Sequence, residues 1–455
     1  MWAWWNICLR RITGLGNNPL QPPQNLPRGH WTLQRTRRVL LPSSSPVVAD
    51  ISSSDLRGWL DDLYPGCDAP VMERRASHAA AGPGSASPPG TVPLSLFSTN
   101  DYLGLSGHAS VRAAVAAEAA LHGCGPRSAS IVAGHTAAHR ELETALAALK
   151  GAEDCLLFPT GYAANVGAVT ALMAGGGGCV VFSDELNHAS IIDGARLGAR
   201  AGAETRVYRH SDLGHLDRLL GESAQEGKRA LVVTDSLFSM DGDFADLRGL
   251  AALKRKHGFL LAVDEAHATL VCGETGAGAA EMMGVADSVD VHVGTLSKAF
   301  GAQGGFVAAS RGVVSWLANR GRPYVFSTAL PTTTVAAAQA ALRTAGDRPE
   351  LRERLWGLVR RAGGALGCAA ESPIIPVVVG DEAEALRLSA SLLGRGIHVP
   401  AIRPPTVPAG TSRLRISLSA AHSAEDVDAL ARELGALRAA GGRGPTAPGA
   451  ERSRM

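Results

Sequence analysis

The sequence predicts an α/β protein: a mostly parallel sheet covered by helices on both faces, followed by a smaller α+β domain. Three observations lead there. Short, continuous apolar runs alternate with Ala/Leu/Arg-rich stretches of helical spacing, the pattern of strands buried on both sides. Several of these runs end abruptly on a polar or charged residue. From about Thr333 the alternation gives way to long helical stretches with a few strand-like runs, which marks a second domain.

The elements follow in order. Residues 1–49 hold six arginines and no acid, behind the tryptophan-rich start MWAWWNICLRR. Arginine without acid reads as a transit peptide or as a disordered extension, so residues 1–60 are set apart. Residues 61–95 form an N-terminal arm containing a Gly/Pro/Ser/Ala-rich surface loop at 78–91. The large domain spans 96–335. Its first clear helix is His139–Leu149. The run Cys155–Phe158 is a strand that ends at Pro159-Thr-Gly161, and a helix opens from there. Strand Cys179–Phe182 ends at Ser183-Asp184, and Ala230–Thr234 ends at Asp235-Ser236. Helix Asp246–His257 precedes strand Phe259–Val263, which ends at Asp264. Strand Val289–Val293 ends at Gly294-Thr295. In open α/β sheets ligands bind at the carboxyl ends of strands, so these polar residues converge where a site belongs. The small domain spans 336–440, with strand Pro373–Val379, helix Glu382–Arg395 and the runs Ile397–Pro400 and Leu414–Ser417. Residues 441–455 are a flexible tail ending in Ser453-Arg454-Met455, similar to the Ser-Lys-Leu type of peroxisomal address, so the expected compartment is the peroxisome, with the cytosol or an organelle addressed by the arginine-rich N-terminus as the alternative.

Composition narrows the function. The 455 residues are 45% hydrophobic and 19% charged, which is globular, with length for two or three domains. A net charge of +2 and scattered Lys and Arg give no footprint for nucleic acid. No run of 18 apolar residues suggests a membrane span. Seven cysteines, none in CxxC or zinc-finger spacing, read as free thiols in a reducing compartment, with no metal site.

Chemistry concentrates in five places. Lys298 sits in VGTLSKAFGAQGGF, a small-residue loop after a strand. It is either a surface lysine or an amine of lowered pKa that forms a Schiff base. Asp264, in LAVDEAH, caps a helix or holds a buried cationic partner, and His267 follows it. FPTGYAAN joins a strand to a helix N-terminus, which suits a phosphate at Gly161 and Tyr162. It is neither a Walker loop nor GxGxxG, and Gly273–Gly278 only approximates the dinucleotide spacing. His188 in DELNHAS and Ser239 in SLFSMDGD follow two further strands. One ligand uses all five: pyridoxal phosphate, whose aldehyde needs a lysine, ring nitrogen a carboxylate, phosphate a helix N-terminus, phenolic oxygen a donor and flat face a stacking partner.

The runs Ser98–Leu105, FPTGYAAN, DELNHASIIDG, DSLFSMDGD, VDEAHA, GTLSKAFG, FSTALP and RPPTVPAGTSRLRIS together resemble the α-oxoamine synthases over residues 92–435. That resemblance implies a fold-type I pyridoxal-phosphate transferase with a seven-stranded sheet. It implies that Lys298 holds the cofactor and moves a proton, Asp264 pairs with the ring nitrogen, His267 with the phenolic oxygen, and His188 stacks on the ring. Gly161 and Tyr162 would lie at the phosphate, with Ser239 and Thr295 as donors. Ser327 and Thr328 would reach the phosphate from a partner subunit of a homodimer. Asn100 and Arg415 would hold the amino-acid carboxylate, Thr406 would lie in the substrate loop, and Arg74 or Arg75 would touch substrate. The stretch Ile402–Pro408 with Arg413-Leu-Arg415 is most similar to the biotin-pathway branch, which implies L-alanine and a pimeloyl thioester as substrates. A sister branch using glycine or serine, or a non-catalytic partner subunit, are the alternatives. Departures are Thr160 where serine is common and the unusual GCGPRSAS at 123–130.

Overall fold

A computed structural model describes residues 94–174 and 178–440. The expectations for residues 1–60, for Arg74 and Arg75, for the 78–91 loop and for the tail with Ser453-Arg454-Met455 lie outside the described residues.

The strands are β1 (Ser95–Leu96), β2 (Asp154–Phe158), β3 (Cys179–Asp184), β4 (Glu204–Tyr208), β5 (Arg229–Asp235), β6 (Leu260–Asp264), β7 (Val291–Thr295), β8 (Gly305–Ala309), β9 (Ile374–Gly380), β10 (Ile397–His398), β11 (Ala401–Ile402) and β12 (Ser412–Ser417). Seven of them form one sheet in the order β2-β8-β7-β6-β5-β3-β4. Five run parallel in sequence across it, from β4 through β3, β5 and β6 to β7. Only β8 is reversed, antiparallel to both β7 and β2. The sheet is thus mostly parallel, with one hairpin, β7–β8, inside it.

Alternation along each strand builds two cores. Leu156, Val181, Leu231, Val233, Ala262, Val291, Val293 and Val307 face one way, against helices Gly161–Leu172, Ala189–Arg200 and Arg311–Arg320. Cys155, Leu157, Val180, Phe182, Val232, Leu261, Val263 and Phe306 face the other way, into the larger core. Burial on both faces is why the strands read as unbroken apolar runs. The edge strand β4 differs: in ETRVY only Tyr208 is buried.

After Thr332 the chain forms helices Thr332–Asp347 and Glu350–Leu366, then an antiparallel sheet of order β11-β12-β9 flanked by Glu382–Leu393 and Ala424–Ala440. Helix Thr332–Asp347 packs on Ala109–His122, and β1 pairs in parallel with β10, so the amino-terminal described segment is tied to the carboxy-terminal elements. Among the described residues no helix is long and apolar enough to cross a membrane. The five described cysteines are free; Cys155, Cys179 and Cys272 are buried.

Candidate active site

The parallel strands end side by side. Asp235 at the end of β5 is paired in register with Asp264 at the end of β6. Thr295 closes β7, and the loop from β7 back into β8 carries Lys298. That loop is pinned by Leu296 N–H to Gly304 O (2.9 Å), Ala302 N–H to Leu296 O (2.9 Å) and Gly301 N–H to Lys298 O (2.8 Å). The hairpin therefore fixes the lysine backbone tightly beside the strand ends.

Lys298 is half-buried, and its amine makes no hydrogen bond or ion pair among the described residues. Burial pulls its pKa below the usual lysine range and Arg415 adds to this, while Asp264 and Asp235 oppose it. An amine with its pKa lowered this way is nucleophilic for more of the physiological pH range. Asp235 is held the other way: burial first, then Asp264, push its carboxyl well above the usual range.

Asp264 is buried and accepts hydrogen bonds from Asn165 Nδ2 (2.6 Å) and from the Ala266 amide (2.8 Å). His267, also buried, meets the Tyr102 hydroxyl at 2.6 Å through Nδ1. Burial lowers the His267 pKa far below its ordinary value, helped by Lys298, Arg415 and His188, so the ring is neutral. Burial also pushes the Tyr102 phenol up to about 12. Tyr102 reaches Asn100 Oδ1 at 3.3 Å, and both terminal nitrogens of Arg415 reach the same oxygen at 3.3 Å. Arg415 is anchored further by Ser239 O (2.5 Å, from Nε) and Ser417 Oγ (2.7 Å). Asn100, Arg415, Ser239 and His267 therefore belong to one connected network.

His188 caps helix Ala189–Arg200, its amide donating to Asp235 Oδ2 at 2.6 Å. The residue is exposed, yet the packing around its imidazole keeps the pKa below the ordinary value; Lys298 adds to this and Asp264 opposes it.

At the other end, Thr160 accepts from the Ala163 amide and starts helix Gly161–Leu172. A Cβ on Gly161 would stand 2.9 Å from Thr295 Cβ, so only glycine lets the helix start press on the end of β7. The Thr295 hydroxyl donates to Gly304 O at 3.0 Å, which commits its single proton to the lysine loop. The Tyr162 ring is exposed and its hydroxyl donates to Asp193 Oδ2 at 2.6 Å. Thr406 is exposed in the loop before β12. Ser327 and Thr328 line a small cleft with His135, His139, Phe158, Pro159 and Tyr324.

Tyr102, Asn165 and Ser190 join the site without having been singled out from the sequence, and Asp235, named there only as a strand end, joins it too. Asp235 carried the same signal as Asp264, an acid at the end of an apolar strand. Asn165 is an amide in the apolar stretch Ala163–Val169.

The donor set fits pyridoxal phosphate: an unpaired lysine amine of lowered pKa, a buried carboxylate, a neutral buried histidine and a helix start with free amides, all at the strand ends.

The chain was compared with known proteins. The model of the aminotransferase class I and II family matches residues 93–434. The 8-amino-7-oxononanoate synthase of Arabidopsis thaliana is 49% identical over 350 residues, covering 74% of this chain and 73% of that protein. The enzyme of the same name from Anaeromyxobacter dehalogenans strain 2CP-1 is 48% identical over 385 residues, covering 83% and 95%. Among solved structures, Sphingomonas wittichii serine palmitoyltransferase is 35% identical with a TM-score of 0.73, covering 76% of this chain and 88% of that one. The 8-amino-7-oxononanoate synthase of Francisella tularensis is 27% identical with a TM-score of 0.64, covering 75% and 96%.

Proposed function

We propose that this chain, which belongs to the aminotransferase class I and II family, condenses L-alanine with a pimeloyl thioester to give 8-amino-7-oxononanoate, free thiol and carbon dioxide. That is a step of biotin biosynthesis, and the chain is in these terms a pyridoxal-phosphate-dependent acyltransferase of the α-oxoamine synthase type. The observation that carries the reading is identity of 44–49% over most of the chain to proteins named for this product. The Lys298 amine, which has no hydrogen bond or ion pair among the described residues and feels the charges of Asp264 and Asp235, agrees with it.

When bound, pyridoxal phosphate supplies the electron-withdrawing ring that acidifies the amino acid Cα–H. Lys298 would hold its aldehyde, and the same amine would serve as the base that takes the Cα proton and returns one. Asp264, steadied by Asn165 and the Ala266 amide, would keep the ring nitrogen protonated. Neutral His267, backed by Tyr102, would serve the phenolic oxygen. His188 would cover the ring and offer a hydrogen bond to the thioester carbonyl. Arg415 and Asn100 would receive the alanine carboxylate, and the amides at Gly161 and Tyr162 would receive the phosphate.

We also assign a homodimer. Exposed Ile131, Val132 and Phe326 are gathered by the Ala129–Thr328 bridge next to Ser327 and Thr328, an apolar surface suited to a second copy. Light scattering on the purified protein reads this directly.

The reaction is tested by thiol release from pimeloyl-CoA with L-alanine, glycine or L-serine in parallel. Release with alanine alone supports the reading. Release only with glycine or serine, on another thioester, moves the chain to a sister activity.

A further inference from the structure

Between the carboxylate of Asp264 and the ring of His188 runs an unbroken line of short hydrogen bonds. Asn165 Nδ2 donates to Asp264 Oδ2 at 2.6 Å and to Ser190 Oγ at 2.9 Å. Ser190 Oγ meets His188 Nδ1 at 2.7 Å. Asn165 and Ser190 are 2% and 0% exposed, so water does not replace these partners.

The protons along this line can be counted. The Asn165 amide has two N–H bonds and both are used. Turning the amide over would set Oδ1 against the Asp264 carboxylate, so its orientation is fixed; Oδ1 itself has no partner among the described residues. Ser190 Oγ accepts from Asn165, which leaves its own proton for His188 Nδ1. The Ser190 backbone N–H also reaches Nδ1, at 3.3 Å, and a backbone amide can only donate. Two donors aimed at Nδ1 leave no room for a proton there. The neutral ring must carry its proton on Nε2.

We propose that Asn165 is a positioning residue: acting through Ser190, it holds His188 as the Nε2–H tautomer and opposes protonation of the ring, so that a neutral N–H donor covers the cofactor. The use of that donor on a thioester carbonyl rests on the function proposed above; the tautomer does not. Protonating Nδ1 would require the Ser190 hydroxyl to turn its proton away inside a buried site. The other groups facing His188 divide. Asp264 favours a charged ring, Lys298 disfavours it, Asp235 grips the His188 amide at 2.6 Å, and His267 is uncharged. Burial is what chiefly lowers the His188 pKa, with Asp264 opposing it and Lys298 adding to it.

The test is 1H–15N correlation spectroscopy of the histidine rings in the full-length protein, with the His188 signal identified by its loss in His188→Asn. The expected signature is an acceptor-type Nδ1 and a protonated Nε2. In Asn165→Leu, and in the milder Ser190→Ala, the tautomers should mix and the ring should titrate at higher pH than in the wild type. In folded variants active enough to assay, the acid limb of kcat/KM for alanine should move upward with it. A protonated Nδ1 in the wild type overturns the proposal. So does an unchanged tautomer and titration in a folded Ser190→Ala or Asn165→Leu protein. Wild-type protein with the expected signature but no thiol release would instead sink the reaction assignment and leave the hydrogen-bond line standing.

Discussion

Lys150→Met removes one half of an ion pair buried behind the site. Lys150 and Glu265 side chains are 1% and 0% exposed and meet at 2.8 Å. The ammonium also donates to Thr269 Oγ1 at 2.9 Å and to Ala277 O. Glu265 has two further donors, His292 Nδ1 at 2.9 Å and the Ala280 amide at 3.0 Å. A Cβ at Gly278 would stand 2.3 Å from Glu265 Oε1, so the carboxylate is enclosed on that side as well. Methionine matches the length of the lysine stem but leaves the carboxylate without its cation. Stranding a buried charge costs about 3–5 kcal/mol. The hydrogen bonds from His292 Nδ1 and the Ala280 amide remain, which places the expected loss near the lower end, about 3 kcal/mol. Burial alone would raise the Glu265 pKa, yet Lys150 and His292 outweigh it and hold it at about 2. Its folded pKa is thus depressed, so the pair's stabilisation is present above the usual carboxylate range and is lost as pH falls toward 2. Urea unfolding of Lys150→Met, and of Lys150→Met/Glu265→Gln, measures the effect. The double variant should recover much of the loss, because no charge is left unpaired. A single variant within about 1 kcal/mol of wild type at pH 7 would refute the reasoning.

Other outcomes follow from the same geometry. His210 donates through both ring nitrogens, to Asp184 Oδ1 (2.9 Å) and Asp243 Oδ2 (2.8 Å); burial opposes the charge, but the two carboxylates push its pKa up to about 10. Because the folded pKa is raised, this stabilisation is full below the ordinary histidine range and disappears as pH rises through about 10, so His210→Gln should flatten the alkaline part of the stability profile in urea. Arg415→Lys keeps the charge but loses the planar fork, and should raise KM for alanine by roughly ten- to a hundredfold, with a smaller effect on KM for the thioester. Asp264→Ala should leave the protein folded but weaken cofactor retention, read as loss of the visible cofactor band on dialysis. Wild-type retention would remove Asp264 from its assigned place.

Much of this site was legible because its residues stand at strand ends. An apolar run stopping on Asp264 or Asp235 is visible in a single sequence, and so is a lysine among small residues. The helix boundaries also held closely: His139–Leu149 lies inside Ala137–Lys150, and Asp246–His257 becomes Leu247–His257 with Asp246 as its cap. Strand β7 runs two residues beyond the apolar run, to Thr295, because β8 pairs with it as far as Gly305. The elements missed share a cause. β8 reads GFVAA, too small and glycine-rich to stand out, although both its faces are covered by neighbours. β4 reads ETRVY, a polar run at the sheet edge in which only Tyr208 is buried. Tyr102 and Ser190 are invisible for another reason: their importance lies in what they touch from far along the chain, Tyr102 reaching His267 across 165 residues. Single-sequence reading detects periodicity and strand ends; it does not detect partners brought together by tertiary packing.

The most direct test of the account is the product itself. Purified wild type and Lys298→Ala are incubated with pyridoxal phosphate, L-alanine and pimeloyl-CoA, and the organic product is identified by mass spectrometry alongside thiol release. The account expects 8-amino-7-oxononanoate and stoichiometric thiol from the wild type, and neither above background from Lys298→Ala. Wild-type turnover in Lys298→Ala, or thiol release by the wild type without that product, would contradict it.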